Sequence, residues 1–332
     1  MNRRDILAGA VAVAASSAAR PTVGQAQAAP TRRLGFLMVV DERPGSREWV
    51  QAALDGLSAL GWREGQNLQV DLRWGYADAA RIGKATEEIL ALKPDVVLAQ
   101  GVVGARYFQR ATKTVPVVFV QMQDPVGGGF VANLSRPDAN LTGFTNFDYT
   151  MVGRWLQMLK EVQPGLGRAL ALINPDDRVR FDGYGDSLAR HAPALGMRAE
   201  LRGIRSAEDV IAAASAFAAE GGDGGLVILP DASTIAHLDT ILAQAARHRF
   251  PTVHPYADQV RRGGLMAYTS NAEEQYRVAA SYIDRLFRGA AIGSLPVQAS
   301  ERFETVLNLK TAAALGLTIP PSLLARADEV IE

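Results

Sequence analysis

The chain has 332 residues, 48% of them apolar, a formal net charge of zero and no cysteine. The apolar share supports large cores, and the lack of cysteine excludes disulfides, thiolate metal sites, cysteine nucleophiles and a lipid-modified cysteine anchor within these residues. A balanced charge gives no electrostatic reason to expect nucleic acid or an acidic membrane surface as a partner.

The first stretch reads MNRRDILAGAVAVAASSAARPTVGQAQAAP. Arg3 and Arg4 precede a weakly apolar run from Ile6 to Ala19, too short for a bilayer span, which takes about 20 apolar residues. Ala26-Gln27-Ala28 is a small-x-small cleavage pattern, so residues 1–28 read as an export signal peptide cleaved near Ala28. The arginine pair followed by Ile6-Leu7 also resembles a twin-arginine signal, and both export routes stay open. The expected location of the rest is periplasmic.

Beyond the signal, short strand patterns alternate with helical ones. RLGFLMVV (33–40) is a continuous apolar run bounded by turn residues, as in a buried strand. Between Arg47 and Leu60 the apolar positions recur at helical spacing, and Gly61 ends the pattern. LQVDLRW (68–74) alternates with period two; a helix pattern over 79–92 leads to DVVLAQ (95–100), a short helix and PVVFVQ (116–121). The second half repeats this with RALALIN (168–174), MRAELRG (197–203), GLVILP (225–230), PTVHPY (251–256) and LMAYT (265–269). Ser206 with Asp209 three residues on predicts a capping box. Strands separated by helices imply βαβ units and parallel sheets with right-handed crossovers. The halves also echo each other: PDVVLAQG (94–101) parallels GGLVILPD (224–231), and PVVFVQMQDPVGGG (116–129) parallels PTVHPYADQVRRGG (251–264). Two α/β lobes of one plan, facing each other across a cleft at the carboxyl ends of their strands, are the simplest reading.

A search for catalytic apparatus mostly fails. There is no G-x-G-x-x-G after a strand, no G-x-x-x-x-G-K-[ST] and no G-x-S-x-G elbow. The four histidines, His191, His237, His248 and His254, form no metal-binding pair, and only His254, at a strand end, is retained as a candidate ligand contact. Glu87-Glu88 and Glu273-Glu274 read as solvated helix faces rather than acid–base dyads. No catalytic residue, metal or cofactor is predicted, so the chain reads as a binder.

The C-terminal third carries a specific resemblance. GGLMAYTSN (263–271), YIDRLFRGA (282–290) and LPVQASERFETVLNLKTAAALGLTIPPSLLARADEVIE (295–332) resemble the end of the ABC-transporter substrate-binding family that includes the tryptophan/tyrosine binding proteins. Matching segments run from residue 33 onward, among them LGWREGQNLQVDLRWGYAD (60–78), LKPDVVLAQG (92–101) and PVVFVQMQDPVGGGFVANLSRPDANLTGFT (116–145). The resemblance implies a type I periplasmic binding protein: two doubly wound parallel-sheet lobes joined by a three-segment hinge, closing like a Venus flytrap on a small ligand. Lobe 1 would take residues 31–145 and 271–305, lobe 2 residues 146–270 and 306–332, with crossings near 144–146, 270–271 and 300–306.

Strand ends then nominate the ligand contacts. In lobe 1 these are Asp41, Gly101, Val102, Val103 and Asp124; in lobe 2, Asn174, Asp177, Asp231, Ser233, His254 and Tyr256, with Tyr268 beside a crossing. Gly101 to Gly104 opens a helix whose free N–H groups suit a carboxylate. Asp231 or Asp177 opposite suits an ammonium, and Phe144, Phe181, Tyr256 or Tyr268 would pack a side chain. Asp124 in DPVGGG equally reads as the holder of its own turn, Asp177 as a turn residue and Phe181 as core. The chain departs from the family pattern at Val102, at the charged run DDRVRFDGYGD (176–186) read as a ligand loop, and at YTSN (268–271), so an amino acid and an aromatic acid stay equally open as ligands. The implied role is a monomeric solute receptor for an ABC permease in the inner membrane; a ligand-sensing subunit of a signalling system, or an exported enzyme on the same scaffold, are the alternatives.

Overall fold

A computed structural model describes residues 31–332, which form one compact unit. The export signal expected over residues 1–28 lies outside the described residues. The first five strands are β1 (Arg32–Met38), β2 (Leu68–Trp74), β3 (Val96–Gln100), β4 (Val117–Gln123) and β5 (Leu141–Phe147), interleaved with α1 (Pro44–Ala59), α2 (Ala79–Ala91) and α3 (Gly101–Ala111). The chain then enters a second set: α4 (Met151–Val162), β6 (Arg168–Ile173), α5 (Arg178–His191), β7 (Arg198–Gly203), α6 (Ala207–Ala219), β8 (Gly224–Ile228), α7 (Ala232–Ala236), α8 (Leu238–His248), β9 (Thr252–His254), α9 (Ala257–Arg261) and β10 (Met266–Ser270). It returns to the first set through α10 (Ala272–Phe287) and β11 (Gln298–Ala299), and ends in the second with β12 (Phe303–Asn308), α11 (Leu309–Leu315), α12 (Pro321–Leu324) and β13 (Glu329–Ile331).

Two sheets result. The first has the order β11-β5-β4-β3-β1-β2, parallel throughout; the second has β13-β12-β10-β9-β8-β6-β7, in which only the β10–β12 pairing is antiparallel. This is the doubly wound, two-lobed α/β architecture that the alternation of strand and helix patterns predicts. Strand alternation sends successive side chains to opposite faces. Leu34, Phe36 and Met38 of β1 pack under α1 and α10, while Leu37 joins the core beneath α2 and α3. In β6, Ala169, Ala171 and Ile173 face the α4 side and Leu170 and Leu172 the α6–α8 side.

α10 returns to lobe 1 because its apolar stripe finds α1 there. Tyr276 lies between Phe36 and Trp49, with ring centroids 6.1 and 6.0 Å away, and Phe287 meets Trp62 at 5.0 Å. The capping box at Ser206 forms as predicted, Ser206 and Asp209 satisfying each other's backbone N–H groups. β5, β11, β12 and β13 have no strand pattern strong enough to read in the sequence. β5, LTGFTNF, mixes polar residues into a strand that is buried along its whole length.

Three chain crossings link the lobes. β5 stays paired with β4 as far as Phe147, beyond the 144–146 crossing expected from the sequence, and α4 begins only at Met151. Ser270 ends β10 and Asn271 caps α10 by accepting from Glu274 N at 2.6 Å. Ser300 N still donates to Thr145 O, and β12 begins at Phe303. One sequence expectation needs correcting here: the charged run 176–186 is not a loop. Asp177 caps α5, which starts at Arg178, because the i to i+4 pair Arg178–Asp182 and the buried Tyr184 give the run a helical face.

Candidate functional site

The carboxyl ends of the two sheets meet at a small set of polar side chains. β4 is irregular near its end, where its register with β5 shifts and Gln121 adopts φ 55°. Beyond it, Gln123 Nε2 donates to Tyr256 Oη at 3.1 Å, and Tyr149 Oη donates to Asp124 Oδ2 at 2.7 Å. Gln123 and Asp124 belong to lobe 1, while Tyr149 and Tyr256 pack against the lobe 2 core. Both bonds therefore join the lobes. Asp124, at φ 39°, also accepts from Gly127 N at 2.8 Å, so the turn-holding role expected of it is real and its second oxygen does further work.

Tyr149 reaches this position because α5 has a glycine beneath it. A Cβ on Gly183 would stand 2.6 Å from Tyr149 Cζ. The ring meets Tyr184 edge-on, with centroids 4.9 Å apart. Burial and then the bond to Asp124 push the Tyr149 hydroxyl above the ordinary phenol range, and burial pushes Tyr256 up to about 12. Both hydroxyls stay protonated at neutral pH and act as donors as well as acceptors.

On the lobe 2 wall the acidic residues are engaged. Asp177 Oδ1 accepts from Arg180 N at 3.2 Å as the cap of α5. Asp231 caps α7 through Ser233 N at 2.7 Å, and its other oxygen faces Arg180 Nη1 at 3.6 Å. Arg180 also donates from Nη2 to Pro230 O. Asn174 Nδ2 donates to Ser233 Oγ at 2.9 Å, tying the loop after β6 to the first turn of α7. Phe181 is half-buried against the core, with Arg178 5.5 Å above its ring.

On the lobe 1 wall, Gly101 takes φ 65° at the start of α3, a conformation that favours glycine. Val102 is half-buried against the α2–α3 core, whereas Val103 is 49% exposed. Asp41 is exposed, and its carbonyl accepts from Ser46 Oγ at 2.7 Å. Gln100 Oε1 takes the N–H groups of Val39 and Val40 at 2.9 and 3.2 Å, bracing the end of β1 against β3.

Two nominated residues are not at this meeting face. Phe144 is buried in the lobe 1 core, its ring 4.8 Å from that of Tyr282 under α10. His254 is fully buried, with Nδ1 bonded to Gln259 Oε1 at 3.0 Å and Nε2 to Thr252 Oγ1 at 2.9 Å. Both ring nitrogens are used inside lobe 2, and burial depresses the imidazole to a pKa of about 4. Alternation explains both cases: a strand's last turn inward is set by sheet faces, which a strand-end count ignores. Tyr268 lies beside its crossing, stacked on Phe303 at 5.1 Å, with its carbonyl held by Trp155 Nε1.

Behind the face, a glutamine pair braces the crossings. Gln275 Oε1 accepts from Gln121 N and Nε2 at 3.0 and 2.9 Å, and Gln275 Nε2 donates to Thr145 O at 2.9 Å. Sequence reading missed Gln121, Gln275, Tyr149 and Tyr184. Only the polar turn of the strand at Gln121-Met122-Gln123 offered a signal. Among the described residues no set of three metal-ligating side chains gathers. A cavity of about 340 Å³ between α8 and α11 opens beside Thr252 at the start of β9, the opposite end of that strand from this face.

The sequence model of a family described as ABC transporter substrate binding protein matches residues 36–331. The chain belongs to this family. An ABC transporter substrate-binding protein binds a small molecule and delivers it to a permease. A curated relative, the tyrosine-binding protein of Clostridioides difficile (strain R20291), is 22% identical over 286 residues, covering 86% of this chain and 81% of that one. A solved Streptococcus pneumonia ABC domain in complex with L-Trp superposes with a TM-score of 0.75 at 21% identity, over 91% of this chain and all of that one. The ligand-free, open structure of a substrate binding protein with adhesive properties from Clostridium difficile gives 0.77 at 20% identity, over 91% of this chain and 99% of that one. At these identities the superpositions show the fold of this substrate-binding protein.

Proposed function

We propose that this substrate-binding protein is a monomeric periplasmic receptor, exported by residues 1–28, that takes a small carboxylate-bearing solute between its lobes for an ABC permease and does no chemistry on it. The observation that carries the reading is the pair of interlobe hydrogen bonds, Gln123–Tyr256 and Asp124–Tyr149, at the carboxyl ends of both sheets. Ligands of open α/β sheets bind outside such ends. The body carrying β1 to β5, α10 and β11 would move against the body carrying β6 to β10, β12 and β13, the three crossings absorbing the backbone change. The L-Trp complex and the tyrosine-binding relative support an amino acid or aromatic acid as the solute.

The test is a thermal unfolding screen of the purified protein against amino acids, aromatic acids, sugars and polyols. A ligand that binds only the folded form raises the midpoint saturably by mass action. One saturable hit, recovered chemically unchanged, is the expected result. Turnover of the hit, or no saturable binding by any compound, overturns the reading.

A further inference from the structure

We propose that the cleft selects an aromatic carboxylate that lacks an α-ammonium, and that Arg180 is the residue that reads it. This rests on the receptor reading above. It starts from the charges at the meeting face. An amino acid needs a free carboxylate for its ammonium, and each acid at the interlobe bonds and on the lobe 2 wall around Arg180 is already engaged. Asp124 accepts from Gly127 N and Tyr149 Oη, and Asp177 caps α5. Asp231 spends one oxygen capping α7 and turns the other toward Arg180. An ammonium brought to Asp231 would also meet the Arg180 guanidinium at close range, a like-charge contact.

Arg180 is differently placed. Its side chain keeps 17% of its surface while that of Asp231 keeps 8%, so Arg180 is the more accessible of the pair. Its Nη2 is committed to Pro230 O, but the 3.6 Å separation between Nη1 and Asp231 Oδ2 exceeds hydrogen-bond distance, so the guanidinium keeps donors beyond these two contacts. A guanidinium offers five N–H donors in a planar fork that matches a carboxylate. Arg178, two residues earlier on a different face of α5, is largely exposed and paired with Asp182 at 2.9 Å, which leaves Arg180 as the inward cation of this turn. Tyr149, Phe181 and Tyr256 are half-buried around it and supply ring surface for an aromatic body.

The test compares three compounds that share one ring: phenylpropionate with a carboxylate alone, L-phenylalanine with both charges, and phenylethylamine with an ammonium alone. Titration calorimetry of the purified protein should show phenylpropionate binding about tenfold or more tightly than L-phenylalanine, and no binding of the amine. Arg180→Gln should weaken phenylpropionate by about tenfold or more, and Arg180→Lys, which keeps the charge but loses the fork, by less. Asp231→Asn keeps a capping side chain and removes the competing charge, so it should bind phenylpropionate at least as well as the parent. Circular dichroism melts identify any variant that fails to fold. L-phenylalanine binding more tightly than phenylpropionate, or phenylpropionate binding unchanged in a folded Arg180→Gln, overturns the proposal. So does binding of a sugar or polyol with none of the three, which would leave a two-lobed receptor standing but not its carboxylate-bearing solute.

Discussion

Lobe 1 orders its strands β2-β1-β3-β4-β5 and lobe 2 orders its own β7-β6-β8-β9-β10, the same path taken twice. The sequence echoes fall on equivalent strands, β3 with β8 and β4 with β9. The two lobes differ in what they place at the strand ends. Lobe 1 extends β4 past its irregularity to Gln123, so that neutral and turn-bound groups reach across the cleft. Lobe 2 stops β9 after three residues, closes it with a buried histidine, and brings charge to the face from α5 and the β8–α7 loop instead. The lesson is that one scaffold repeated twice need not repeat its function: the framework is shared, and recognition comes from local caps, irregularities and loops.

Removing a core ring should separate packing from recognition most sharply. Phe144→Ala should destabilise the protein by about 3–5 kcal/mol, as expected for a buried aromatic, while leaving the affinity of the folded protein for its ligand unchanged. Denaturant unfolding alongside titration reads both. A large affinity loss in folded Phe144→Ala would return that residue to the site.

Acid should act on lobe 2 first. Burial holds the His254 imidazole at a pKa of about 4, below its unfolded value, so the neutral ring contributes stability that is fully present above about pH 6.5 and is lost as pH falls toward 4. The loss between about pH 8 and pH 5 is about 2 kcal/mol. Hydrogen exchange at the two pH values should show β8, β9 and β10 opening more readily than β3 and β4. His254→Gln should flatten that dependence, and equal acid response in the two lobes would break the comparison.

The smallest effect expected is at the interlobe bond itself. Tyr149→Phe removes the donor to Asp124 at a cost of about 1 kcal/mol, since Asp124 keeps its bond to Gly127. Small-angle scattering of the ligand-free variant should show a shift toward a more open form, and an unchanged profile would mean the bond has no part in setting the lobe angle.

Much of the fold was legible because its signals are local. The runs 33–40, 95–100, 168–174 and 225–230 sit in parallel strands covered on both faces, which makes them continuously apolar. β5 was illegible because its register is set by β4 and its polar residues are satisfied by partners far along the chain, as Thr142 is by Leu295 O. The run 176–186 looked like a loop because charge dominates its composition, yet the cap at Asp177 and the i to i+4 pair make it a helix.

The candidate site divides in the same way. Chain order and residue chemistry determined the two α/β halves, the absence of cysteine chemistry, and a strand-end face containing Asp124, Asp231 and Tyr256. Only the tertiary structure decided that His254 and Phe144 turn inward and that Asp231 is shared with Arg180. It alone brought Tyr149 across to Asp124. The physical reason is that a side chain's direction and its partner are properties of packed faces, and the partners here lie 25 residues apart for Tyr149 and Asp124 and 133 apart for Gln123 and Tyr256, distances along the chain that no local pattern spans.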